Sequence, residues 1–206
     1  MTALRNATRY LYAPIFFFGF IGAALWMVEN DASKLWLAGL LLPVIALSFL
    51  AERIAPFEAA WNHSKGDAGR DTLHAIINEL SNIAAIAVIP VVAAITTGFD
   101  IWPSEWPLWA QLGMTILIAD FGITMAHYAS HKIEALWRLH AVHHSVERTY
   151  GFNGLMKHPL HQAIELTAGT TPLLLMGMPM EIGALLGFAV AIQLMLQHSN
   201  VDMRVG

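Results

Sequence analysis

Cysteine is absent from this chain of 206 residues. Its absence excludes disulfides, thiolate metal ligands and cysteine nucleophiles. Only imidazole and carboxylate remain to hold a metal, and those ligands suit iron, zinc, copper or manganese. Charge is scarce as well. Asp, Glu, Lys and Arg make up 13% of the residues, against about 25% in a soluble domain. Hydrophobic residues reach 56% and mean hydropathy is +0.54, the composition of a membrane protein. The net charge of -4 carries no nucleic-acid signature. Several catalytic motifs are missing. HYASH at residues 127–131 lacks the glutamate base of a zinc protease HExxH. Neither Glu134 nor Glu147 is followed three residues on by histidine, so the Glu-x-x-His pairs of carboxylate-bridged di-iron bundles are absent. No GxGxxG or Walker loop marks a nucleotide site.

What is present is a series of long apolar runs. Residues 10–28 carry no charge and are long enough to span a bilayer. No small-residue cleavage site clearly follows them, so they read as a retained first helix. Residues 35–51 form a second run, with Pro43 as a point of kinking. Residues 73–98 and 107–126 form a third and fourth, and residues 160–178 and 180–198, joined at Gly177-Met178-Pro179, read either as a re-entrant helical hairpin or as two more spans. The expected fold is all-α: an integral membrane bundle of about four spans plus that hairpin, in a single domain. Residues 1–71 are an N-terminal hairpin and loop, and residues 72–206 the functional region. Trp102, Trp106 and Trp109 suit a membrane interface. Arg5, Arg9, Arg53, Lys65, Arg70, Lys132, Arg138, Arg148 and Lys157 fall on one side of such a bundle. The opposite loops hold Lys34 with Glu29, Asp31, Asp100 and Glu105. The positive-inside rule then puts the N-terminus and the polar segment after the fourth span in the cytoplasm.

Seven of the ten histidines lie between Asp120 and His161. His127 and His131 are four apart, one turn along one helical face. His140, His143 and His144 follow with spacings of three and four, so two or three of their rings can converge as well. Buried imidazoles packed together are unfavourable unless a cation joins them, so these five are expected to bind metal. Asp120, seven before His127, either orients a ligand ring by accepting its N–H or is an interfacial carboxylate near a helix end. His158 precedes Pro159 and should end a loop. His161 reads as the polar start of the next helix rather than a ligand. His198 closes the last apolar run, with Asn200 two residues later. His63 and His74 read as structural.

HYASH, LWRLHAVHHS, KHP and QHSNVD together resemble the fatty acid hydroxylase / sterol desaturase superfamily of membrane oxygenases, over roughly residues 70–206. The resemblance implies a cytoplasmic histidine cluster holding two iron ions, with zinc able to replace them in purified protein. It also implies dioxygen-dependent hydroxylation or desaturation of a lipid C–H bond, on a sterol, fatty acid or related lipid. Electrons would come from an external donor such as cytochrome b5 or ferredoxin. His127, His131, His140, His143 and His144 match the first two histidine boxes, His198 the lone ligand before the last box, and His158 the HP element. Trp137 and Ser145 flank the second box. The family's third box, a further HxxHH, would follow the HSN element, and the sequence ends at Gly206. A fragment, or a family member without turnover, is the expectation that follows. A histidine-rich metal carrier is the alternative from a different class.

Overall fold

In a computed structural model, every helix-length element among the described residues, which are 2–33, 35–95, 98–99 and 101–204, is helical, and no strand forms there beyond an isolated bridge between Pro56 and Val201. Lys34 and Asp100, two of the loop charges used above, lie outside that set. The elements are α1 (Thr2–Pro14), a π-helical turn (Ile15–Gly19), α2 (Phe20–Glu29), α3 (Leu35–Ile54), α4 (Ala68–Ile95), α5 (Leu108–Ser130), α6 (Glu134–His140), α7 (Pro159–Leu175) and α8 (Met180–Gln197). Five stretches are long and apolar enough to cross a membrane: Thr2–Glu29, Leu35–Ile54, Ala68–Val91, Leu108–Ser130 and Met180–Gln197. They bury only 22–50% of their most apolar windows. Large side chains such as Phe18, Leu42, Leu117 and Phe121 are therefore left facing outward. So much exposed apolar surface is stable only against lipid or a partner. The molecule is an all-helical membrane bundle, as the hydropathy predicts. α7 stays outside the group of spanning candidates, and it carries His161, Gln162 and Glu165 in its first two turns.

Prolines leave visible marks. Pro14 removes a backbone donor inside the first long helix, and the π-helical turn follows it directly. Pro43 and Pro90 sit inside α3 and α4 without ending them. Gly177 has φ +90°, which closes α7. The N–H groups of Gly177 and Met178 return to the carbonyls of Leu174 and Leu173, and Pro179 precedes α8.

The chain divides into two compact units, with boundaries inside α4 and α8. The first comprises residues 1–75, 146–156 and 188–206. Its polar interior is closely paired. The buried Glu52 of α3 accepts the N–H groups of Gly151 and Asn200 at 2.8 and 2.9 Å. Asn200 is fully buried, and its side chain bonds Glu58 and Asn62. It works as a clamp on the 58–62 turn. Arg148 is buried over the Tyr150 ring and holds both oxygens of Asp67 at 2.7 and 2.9 Å.

The Arg148 guanidinium holds the Asp67 carboxyl well below the usual carboxylate range. A folded value below the unfolded one means stability that is present at neutral pH and lost as pH falls below about 4. Asp67→Asn is therefore expected to lower the melting temperature at pH 7 and to flatten its acid decline. Thermal scans from neutral to strongly acidic buffer read both effects.

The second unit comprises residues 76–145 and 157–187. Its central feature is the approach of α5 to α7. A Cβ on Gly122 would overlap the Ala168 carbonyl, and one on Gly169 would stand 2.9 Å from the Ala119 carbonyl oxygen. Backbones come this close only where both helices offer small residues. Gln162 of α7 ties to α4, donating to the Asn78 carbonyl at 3.0 Å and Asn82 Oδ1 at 3.2 Å.

Candidate metal centre

The rings of His127, His131, His140, His143, His144 and His161 all belong to the second unit. α5 runs without a breaker to Ser130, and His131 forms its C-cap while still helical in φ and ψ. His127 and His131 thus keep the one-turn spacing expected of them, with Nε2 atoms 3.3 Å apart. α6 ends at His140, and His143–Ser145 form a separate 3-10 turn. The second box is therefore not one continuous helix. His140 and His144 still meet, Nε2 to Nε2, at 3.0 Å, and His140 Nε2 lies 3.2 Å from His131 Nε2.

Nitrogens of His127, His131, His140 and His144 lie within 4.8 Å of one another. His143 is adjacent, its ring centroid 5.6 Å from that of His140, but it is not in this group. His140 is the hub. It is fully buried, with ring centroids of His127, His131, His144 and His161 between 4.3 and 4.8 Å away. Burial, reinforced by the neighbouring rings, pushes its imidazole down to about 3, and burial likewise lowers His144. Both are neutral at physiological pH, with a ring lone pair available to a metal.

The donor set fits a metal ion. A neutral ring nitrogen carries either one in-plane hydrogen or one lone pair. Three successive Nε2···Nε2 contacts among four nitrogens therefore cannot all be hydrogen bonds; at most two can. One cation satisfies all four lone pairs together. Nitrogens about 2.0–2.1 Å from a shared ion stand about 2.9–3.4 Å apart, for right-angle to tetrahedral arrangements. The three contacts fall in that range.

Glu165 of α7 was missed in the sequence. It is 3% exposed, 3.4 Å from His127 Nδ1 and 2.5 Å from the buried Lys157 ammonium. By accepting the Nδ1–H of His127 it leaves the Nε2 lone pair facing the cluster. The signal was present: Glu165 is the sole charge in residues 160–178 and lies one turn after His161. Asp120, for which that accepting role was one alternative, is exposed and belongs to neither metal-competent group.

The remaining residues fall as follows. His161, expected to be a polar helix start, is fully buried and contacts Ser130 Oγ at 2.8 Å. It forms a second metal-competent group with His140 and Glu165, all three buried. His158 is the N-cap of α7, its Nδ1 accepting the Leu160 N–H at 3.2 Å, as Pro159 after it requires. Trp137 lies between His131 and His144, at centroid distances of 5.5 and 5.6 Å. His198 belongs to the first unit, at the end of α8, with Nδ1 2.9 Å from the Leu194 carbonyl.

The fatty acid hydroxylase family model matches residues 112–206. Ornithine lipid hydroxylase OlsE of Rhizobium tropici is 31% identical over 212 residues, covering 95% of this chain. The chain spans 62% of that relative's length. No solved structure matches it. Residues 112–206, the region similar to the fatty acid hydroxylase family, contain the four converging nitrogens, the buried Glu165 and His198.

Proposed function

We propose that the chain forms the metal-binding body of a membrane lipid hydroxylase with a non-haem di-iron centre. The observation that carries this reading is the convergence of four Nε2 atoms where α5 leaves its apolar span. His127, His131, His140 and His144 hold the first ion, and the adjacent His143 adds to the ligand set by family resemblance. The iron pair supplies dioxygen activation and oxidation of an unactivated C–H bond when bound. The residues themselves do simpler work. Glu165 fixes the His127 tautomer, Trp137 shields the exposed rings of His131 and His144, and the apolar helices below carry the lipid and exclude water. Neutral imidazoles leave the metals' positive charge uncompensated, which favours the reduced state. Electrons come from a separate carrier such as cytochrome b5 or ferredoxin. The basic residues flanking the histidine segment support a cytoplasmic site and N-terminus.

The substrate we propose is an acylated amino-acid lipid, because the relative is an ornithine lipid hydroxylase. The same likeness supports hydroxylation over desaturation or metal carriage as the proposed reaction. Iron-loaded protein in lipid vesicles, given a reduced ferredoxin and heavy-isotope dioxygen, is expected to yield ornithine lipid carrying one labelled oxygen. Unlabelled lipid from fully iron-loaded protein would refute the hydroxylase reading. A product that has lost two hydrogens would replace hydroxylation by desaturation.

A further inference from the structure

Beyond the four-nitrogen group lies a buried arrangement that the proposed histidine ligand set does not use. Ser130 has one hydroxyl hydrogen, and it goes to the Ala126 carbonyl at 2.8 Å, the expected i-4 bond of a helical serine. Ser130 Oγ can then only accept at its 2.8 Å contact with His161 Nε2. His161 is thereby held as the Nε2–H tautomer, and its Nδ1 carries a lone pair. That Nδ1 is buried and has no hydrogen-bond partner. It stands 3.8 Å from Glu165 Oε1. A lone pair and a carboxylate thus face each other in a site closed to water, which is costly unless a cation joins them. The positive charge present is the Lys157 ammonium, 2.5 Å from the other oxygen of Glu165.

We propose that His161 Nδ1 and the Glu165 carboxylate are ligands to a second cation of the centre, a divalent transition ion. Lys157 is its internal substitute, neutralising Glu165 when that ion is absent. This inference rests on the metal-centre reading above and extends it. It makes the second site mixed in donors, imidazole and carboxylate, where the first is all imidazole. It also moves His161 from helix start to ligand. The ligating carboxylate retains its bond from His127, so one side chain links both ions. His140, present in both metal-competent groups, lies between them.

The test is metal stoichiometry on the full chain in detergent, titrated with iron(II) or cobalt(II) alone. Elemental analysis counts the ions, and cobalt absorption reports their donors. Wild-type protein is expected to hold about two ions. Glu165→Gln and His161→Gln, close in size to the originals, should each hold about one; His161→Gln should retain the cobalt spectrum of the four-imidazole site, and Glu165→Gln should bind that first ion more weakly because His127 loses its carboxylate acceptor. Lys157→Met provides the opposite sign. Removing the competing ammonium should tighten the second ion by about tenfold or more, because it leaves Glu165 uncompensated until the ion binds. A purely structural Lys157–Glu165 pair would instead make Lys157→Met bind no tighter. That outcome, or two ions retained in Glu165→Gln and His161→Gln, overturns the proposal. Wild-type protein holding one ion also overturns it. Wild-type protein holding none overturns the metal-centre reading beneath it. Retained elution volume and helical circular dichroism separate lost ligands from lost fold.

Discussion

His140→Ala is expected to empty the centre. The residue is fully buried, its Nε2 touches those of both His131 and His144, and it belongs to both metal-competent groups. Substitution removes a ligand and opens a cavity between rings that pack on it at 4.3–4.8 Å. Losing a partner that merely orients a ligand lowers metal affinity by about 10–100-fold. Loss of the shared ligand should exceed that, leaving well under one ion per purified chain by elemental analysis and no measurable lipid oxidation. His143→Ala provides the contrast. Its nitrogens stand outside the converging four, so its metal content should fall less than that of His144→Ala. Equal metal content in wild type and His140→Ala would remove the hub from the account.

Gly122→Val should cost nearly as much without touching a ligand. Gly122 and Gly169 are where α5 and α7 meet backbone to backbone, and a Cβ at Gly122 would occupy the space of the Ala168 carbonyl. Overpacking a core costs about 1–3 kcal/mol when side chains can yield. Here the obstacle is main chain, so the helices themselves must part. α5 carries His127 and forms the Ser130 contact, and α7 carries His161 and Glu165. Parting them breaks the Glu165–His127 and Ser130–His161 contacts together. The expected result is a large fall in melting temperature, metal content and activity, at a site with no chemistry of its own. Gly113→Ala in the same helix has nothing within 4 Å of its new methyl group. It should be neutral, or stabilising by up to about 1 kcal/mol through helix propensity. If Gly122→Val keeps its metal, the close approach does not position the site.

Much of this protein was legible in one dimension. Helix positions follow from apolar run length, and each run was found within a few residues at its ends. The exception was the first helix, which starts at Thr2: the uncharged run begins at Tyr10, but the helix extends back through Arg5 and Arg9. His127 with His131 was readable because residues four apart on a helix share a face. His140 with His144 was readable by the same spacing, even though α6 stops at His140. His158 as a loop end followed from the proline after it.

Glu165 and His161 were not legible, for one physical reason. Their surroundings come from α5, some thirty to forty residues earlier in the chain: His127 and Ser130 reach them only because two glycines let the helices close up. Hydropathy averages a single buried carboxylate into its apolar neighbours, and no local spacing says what it will face. Asp120 shows the converse. It shares a helical face with His127 by periodicity, yet it is exposed while the acceptor for that ring comes from α7. By itself, the sequence determined an all-helical membrane chain with histidines clustered at helical spacing. Those properties depend on composition and on contacts within one helical turn. Only the tertiary structure decided which imidazoles converge, which carboxylate orients them, and which glycines hold α5 against α7, because those interactions exist only after distant helices pack.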